Sequence, residues 1–184
     1  MGNGESSYRR FLDGDDSAFS EVIDIYRESL IFFINRYVQN LSLSEELAED
    51  CFVELIVYPK RYNFRASLKT FLFTIARNKA VDRLRKLRHT TNLPDTELDI
   101  PTQEYESFEN EIFKNEQKRI LNEAMKELKE EYYTVLHLIY FEEMSNGEAA
   151  CVMKKSAKQI ENLVYRARLR LREILQKRGL DYEG

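Results

Sequence analysis

Residues 145–178 read SNGEAACVMKKSAKQIENLVYRARLRLREILQKR, and this stretch decides the fold. Ser145 with Glu148, and Ser156 with Gln159, are capping boxes eleven residues apart, each able to satisfy orphan N–H donors at the start of a helix. The first predicts a short helix with Ala149, Val152 and Met153 as its buried side. After the second, Ile160, Leu163, Val164, Ala167, Leu171, Ile174 and Leu175 recur at three- and four-residue steps. On a helix of about 3.6 residues per turn they form an apolar stripe about 100° wide. The same projection puts Lys158, Asn162, Tyr165 and Arg172 on the opposite side, with Arg166 and Arg168 on the flanks. Short helix, tight turn and long helix with a cationic outer face make a helix-turn-helix. The competing reading of the same residues is an amphipathic hairpin whose arginines serve solubility.

Upstream, helical periodicity continues almost everywhere. Phe19, Val22, Ile23, Tyr26, Leu30, Ile34, Tyr37 and Val38 trace one apolar stripe, preceded by the cap candidates of Asp13, Gly14, Asp15, Asp16 and Ser17. Ser42 with Glu45 predicts a second helix start, and Pro59 must lie beyond its end. A short loop, about Lys60 to Arg65, leads to a third helix with Leu68, Phe71, Leu72, Ile75 and Ala76 on one side. Residues 89–107, HTTNLPDTELDIPTQEYES, hold two prolines and no helical period, and read as an extended linker. Helical spacing returns near Phe108 and runs through Ile112, Phe113, Ile120, Leu121, Met125 and Leu128; a further helix covers roughly Glu131 to Glu142. No segment alternates in the manner of a strand. The expected fold is all-α, with two small helical domains (residues 6–89 and 108–184) joined by an acidic linker (90–107).

Charge is segregated along this frame. The chain of 184 residues has a formal net charge of −4, yet residues 60–88 carry ten Lys or Arg against Asp82 alone. Residues 154–178 carry nine against Glu161 and Glu173, and the stretch from His89 to Glu111 holds seven acids and no Lys or Arg. Two cationic blocks separated by an anionic connector suit phosphate neutralisation at two separate places, while net acidity favours solubility. In the first block aromatics interleave with the cations. Tyr62, Asn63, Phe64 and Arg65 fall in the loop, where a ring can stack on an unpaired base while cations, Lys69 among them, follow the backbone. Phe71 and Phe73 are the core candidates of the block, Phe71 above all because it lies on the apolar stripe. The helix before the loop is acidic, with Glu45, Glu46, Glu49, Asp50 and Glu54, and suits either a solvated face or a basic protein partner.

Residues 48–86, AEDCFVELIVYPKRYNFRASLKTFLFTIARNKAVDRLRK, closely resemble the second conserved region of bacterial sigma factors, most nearly the small extracytoplasmic-function group. Residues 125–175, ending in YRARLRLRE, are similar to that group's fourth region. The resemblance implies a dissociable promoter-recognition subunit of RNA polymerase. The acidic helix, through Glu49, Asp50 and Glu54, would grip the clamp helices of the largest polymerase subunit. Asn63, Phe64, Arg65, Arg77, Asn78 and Arg83 match the positions that bind and open the minus-ten element and capture a flipped base. Lys158, Gln159, Asn162, Tyr165, Arg166 and Arg168 lie on or around the helix that would read the minus-thirty-five element. A contact with the polymerase flap and control by an anti-sigma factor are further expectations from the family.

Several positions depart from the family pattern. Val53 and Ile56 stand where Gln and Phe are frequent, Phe71 where Trp is usual, and Ala149 where a larger aliphatic residue is usual. Lys154 and Lys155 fill the turn where Gly and an aliphatic residue are expected, which predicts either a strained or a rearranged turn. Glu161 would repel phosphate or select a cytosine amino group.

Composition narrows the alternatives. No run approaches the roughly 18 apolar residues of a membrane span, and MGNGESSYRR lacks the apolar core of a signal peptide. Cys51 and Cys151 lie a hundred residues apart, so no disulfide framework is expected and the expected setting is reducing and cytoplasmic. His89 and His137 form no metal-ligand spacing, and no Gly-rich phosphate loop occurs; neither catalysis, metal nor cofactor is expected. Two other readings remain at this level: a helix-turn-helix regulator acting without polymerase, and a sigma-like adaptor that no longer opens promoters.

Overall fold

The computed structural model describes residues 4–91 and 116–178, with side chains from 4–87 and 119–178. The chain divides into two compact units, Met1–Thr102 and Gln103–Gly184. Among the described residues the regular structure is entirely helical. None of the described helices is long and apolar enough to cross a membrane.

The first unit contains α1 (Glu5–Leu12), α2 (Ala18–Val38), α3 (Leu41–Val57), a 3-10 turn (Pro59–Arg61) and α4 (Leu68–Thr91). α2 is its centre and packs against the other three helices. The expected stripe of α2 is buried except for half-buried Ile23. Ile31, Phe32 and Phe33 are buried as well, because α3 and α4 cover two sides of the helix. Phe33 is fully buried, with its ring centroid 5.0 Å from that of Phe73 and 5.5 Å from that of Tyr37. Phe33→Ala is expected to lower unfolding free energy by about 3–5 kcal/mol, enough to unfold a marginal domain. Thermal melting of the purified variant checks this. A loss under ~1 kcal/mol would mean that this aromatic cluster is not the core.

Two boundaries differ from the sequence expectation. α3 starts at Leu41, capped by Asn40, whose Oδ1 accepts the Leu43 N–H at 2.9 Å; Ser42 is not the cap. Gln39 turns the chain at φ 48° and leaves Asn40 extended, the geometry an N-cap needs, two residues before Ser42. α4 begins after Ser67, whose Oγ accepts the Thr70 N–H at 3.2 Å, and runs on to Thr91, past His89 where the linker was expected to begin. In α4 the fully buried aromatic is Phe73, whereas Phe71 is half-buried, the reverse of the expected weighting.

α1 has no sequence counterpart in the periodicity above. Its eight residues are too few to persist alone, and tertiary contacts hold them. Tyr8 is fully buried and donates to the Leu55 carbonyl at 3.0 Å. Gly4 opens the helix at φ 68°, and a Cβ there would lie 2.6 Å from the Tyr26 ring.

The second unit contains α5 (Glu116–Lys126), α6 (Glu130–Leu136), a π turn (His137–Phe141), α7 (Asn146–Met153) and α8 (Ala157–Lys177). The expected helix from Phe108 falls partly outside the described residues; its later part is α5. The single helix expected over residues 131–142 is instead α6 followed by the wider π turn, closed by Glu142 N–H on the His137 carbonyl at 3.0 Å. Buried His137 stacks between Tyr133 and Phe141, and its Nε2 lies 3.3 Å from Glu142 Oε1. Both capping boxes form as expected. Glu148 N–H bonds to Ser145 Oγ and Gln159 N–H to Ser156 Oγ, with the reciprocal side-chain bonds present. Ala149, Val152 and Met153 are buried. Of the α8 stripe, Ile160, Ala167, Ile174 and Leu175 are buried and Leu163, Val164 and Leu171 half-buried.

Candidate nucleic-acid interface

Pro59 ends α3 and opens the 3-10 turn, so the chain enters α4 through residues 62–67. Tyr62, expected to meet nucleic acid, is a support instead. It is 4% exposed, and its hydroxyl lies 3.0 Å from the Ala66 carbonyl and 3.3 Å from Glu5 Oε2. Burial first, and the nearby Glu5 carboxylate second, raise its pKa above the usual phenol value, so the hydroxyl stays a donor. Three rings pack around it: Phe64 at 4.5 Å, Phe71 of α4 at 5.2 Å and Tyr8 of α1 at 5.8 Å between centroids.

On that support the next three residues form a loop with Asn63 and Arg65 exposed on either side of Phe64. Asn63 is exposed and its Oδ1 accepts the Arg65 N–H at 3.1 Å. This side-chain bond spans Phe64, which sits at φ 59°. A bulky residue in the left-handed region costs roughly 1–2 kcal/mol, and such strain tends to collect at binding sites. The Phe64 ring is half-buried against Tyr62, at 4.5 Å between centroids, and Arg65 is exposed with no side-chain partner among the described residues.

α4 continues the cationic surface. Lys69, Arg77 and Asn78 are half-buried and Arg83 is exposed. Lys69 and Arg83 stand ~20 Å apart along the axis at about 1.5 Å rise per residue, and at about 3.6 residues per turn Asn78 falls on the side opposite Lys69, so these side chains wind around the helix along a path and do not form a cluster. Neither Arg77 nor Arg83 enters an ion pair among the described residues, and Arg77 Nε is buried without a hydrogen-bond partner.

The acidic helix lies beside this path. Glu49 and Asp50 are exposed on α3 and Glu54 is half-buried. Lys79 of α4 reaches Asp50 at 3.7 Å and Glu54 at 3.6 Å, while Arg61 pairs with Glu54 at 2.7 Å. In the sequence Val53 and Ile56 stand out only as departures from the family pattern. The structure shows them with Val57 and Tyr58 as neighbouring exposed apolar side chains, each about half exposed, beside those carboxylates. Their i, i+3, i+4 spacing on an otherwise acidic helix was the available signal. Cys51, one residue from Asp50, points into the core, where burial pushes its thiol up to about 12 and removes it from thiolate chemistry.

In the second unit all six expected α8 residues are exposed. Lys158, Asn162 and Arg166 share a stripe at four-residue steps. Tyr165 and Arg168, exposed as well, also line a groove of about 450 Å³ with Leu121 of α5 and Leu169. Gln159 Oε1 accepts the Ser156 N–H at 2.8 Å, so its carbonyl serves the cap. Lys158 pairs with Glu161 at 2.9 Å. The expected strain in the turn is present, since Lys154 adopts φ 54°. Lys154→Gly should therefore raise the melting stability of this unit by up to ~1 kcal/mol, whereas β-branched Lys154→Val should lower it by more. Unchanged melting in both variants would contradict a strained turn.

Among the described residues no group of His, Cys, Asp and Glu could hold a metal ion. The arrangement offers two separate sets of solvent-facing cations and one mixed acidic and apolar face.

Comparison with known proteins gives these surfaces a context. Residues 22–90 match the model for sigma-70 region 2 and residues 118–171 the model for sigma-70 region 4. The chain is 24% identical to the ECF RNA polymerase sigma factor SigW of Bacillus subtilis, over 89% of this chain and 91% of that protein. It is 26% identical to the ECF RNA polymerase sigma factor SigM of the same organism, over 89% of this chain and 98% of that protein. Among solved structures, the sigma factor RpoE in complex with the anti-sigma factor NepR from Bartonella quintana superposes with a TM-score of 0.67 at 21% identity, covering 86% of this chain and 96% of that one.

Proposed function

The chain belongs to the extracytoplasmic-function group of the sigma-70 family, and from that premise we propose how its two units divide the work of a promoter-recognition subunit of bacterial RNA polymerase. The first unit docks α3 on the clamp helices of the largest subunit, with Glu49, Asp50 and Glu54 supplying charge and Val53, Ile56 and Val57 supplying apolar area. Its loop, Asn63 to Arg65, takes an unpaired base of the opened minus-ten strand. Lys69, Arg77, Asn78 and Arg83 follow the backbone along α4. In the second unit Lys158, Asn162 and Arg166 face the major groove of the minus-thirty-five element, while that unit docks on the flap. Tyr62 supports the loop from below.

The observation that carries this reading is the pairing, within one small unit, of a strained loop that exposes Asn63 and Arg65 around Phe64 with an acidic and apolar helix beside it. A helix-turn-helix regulator acting alone has no use for either. The protein acts as a non-catalytic subunit in the cytoplasm, and it is held inactive by an anti-sigma factor, as the solved relative is bound by NepR. Assembly tests the docking half: mixed with bacterial core polymerase and separated by size, the full chain should co-elute with core. A chain that elutes alone while binding duplex DNA tightly would replace this reading with the regulator.

A further inference from the structure

Helix α1 precedes the segment matched by the region 2 model, yet it forms one wall of the proposed single-strand site. Tyr8 lies beneath the loop, with its ring centroid 6.3 Å from that of Phe64. Its neighbour Arg9 lays a guanidinium over the Phe64 ring, 3.9 Å from the centroid. Glu5, one turn earlier, takes Arg9 Nη2 at 3.0 Å, while the other Glu5 oxygen lies 3.3 Å from the Tyr62 hydroxyl. The guanidinium is thus held from below by a ring and from the side by a carboxylate, and its side chain is still 55% exposed. Arg10, the adjacent cation, is committed elsewhere, to Glu21 at 2.5 Å and Asp15 at 3.5 Å.

A guanidinium is planar, with donors around its edge and two faces that stack. Phe64 occupies one face of Arg9 and Glu5 part of its edge. We propose that Arg9 binds single-stranded DNA: its free face stacks on an unpaired base, and its open N–H edge neutralises the adjoining phosphate as the strand leaves the Asn63 to Arg65 loop. The ligand class is single-stranded DNA, and the site extends the loop onto α1. Held flat in advance, Arg9 loses little freedom on binding, and cation–π contact with Phe64 keeps the stack aligned. This inference rests on the reading that the loop takes unpaired bases.

The test uses holoenzyme assembled from the full chain and core polymerase. The probe is a fluorescent DNA fork bearing a random-sequence non-template strand of roughly 12 unpaired nucleotides. Arg9→Ala should weaken binding about tenfold and reduce the slope of log affinity against log salt by about 0.7, one single-strand phosphate contact. Arg9→Lys should keep the slope and lose about threefold, since it retains the charge but not the flat stack. An affinity loss in Arg9→Ala without a change of slope would show a prop for Phe64 only and would overturn the proposal, as would no loss at all. Arg65→Ala separates the two levels. If it weakens binding and Arg9→Ala does not, Arg9 alone is refuted; if neither does, the loop reading falls and this inference with it.

Discussion

Holoenzyme carrying Asn63→Ala with Arg65→Ala is expected to open promoters about 100-fold more slowly while binding closed duplex within about threefold of the parent chain. The asymmetry follows from where the two side chains sit. Arg65 is exposed and unpaired, so its removal leaves folding nearly untouched. Asn63 acts through the backbone, because its Oδ1 holds the Arg65 N–H across Phe64 at φ 59°. Without that bond the strained residue relaxes and the loop that exposes Arg65 loses its shape. Duplex affinity, resting on the cations of α4 and α8, stays. Potassium permanganate reactivity of unpaired thymines, followed in time, measures opening, and filter binding at low temperature measures the closed complex. Equal losses in both would remove the loop's role in taking unpaired bases.

The second large effect concerns α3. Glu49→Lys with Asp50→Lys should weaken association with core polymerase by about 100-fold or more, because like charges opposed across a docked interface cost several kcal/mol. Both positions are exposed, and the ion pair given up, Asp50 with Lys79 at 3.7 Å, is a surface pair worth about 0–1 kcal/mol, so the reversal leaves the fold nearly intact. Glu54 is a poor choice for reversal: Arg61 at 2.7 Å and Lys79 at 3.6 Å would then face a third cation, and instability would mask the docking effect. Fluorescence titration of labelled chain with core checks the affinity and thermal melting checks the fold. An unchanged dissociation constant would remove α3 from the polymerase contact.

The second unit was legible where its instructions are local. Both capping boxes join residues three apart, and each formed as the pattern implies. The Lys154 strain was legible for the same reason, since a turn between two fixed helix ends leaves few backbone choices. Legibility failed where distant groups decide. α1 exists because the Tyr8 hydroxyl reaches the Leu55 carbonyl and Gly4 lets the chain approach Tyr26, neither visible as periodicity. The same holds for Tyr62, a buried support because rings from α1, the loop and α4 meet around it, which loop membership alone does not show. In the helix-turn-helix, a wheel grouped Lys158, Asn162 and Tyr165 on one side. All three are exposed, and the position of α5 adds what a wheel cannot show: Tyr165 also borders a groove shared with Leu121.

The central claim is that this chain directs polymerase to promoters and opens them. The most direct measurement is transcription in vitro from fragmented bacterial genomic DNA, using core polymerase with and without the purified chain and mapping the 5′ ends of the RNA. The account predicts a discrete set of chain-dependent start sites, each preceded by shared sequence elements at two fixed distances upstream and lost with Asn63→Ala and Arg65→Ala. A chain that joins core yet yields the same start sites as core alone would contradict it.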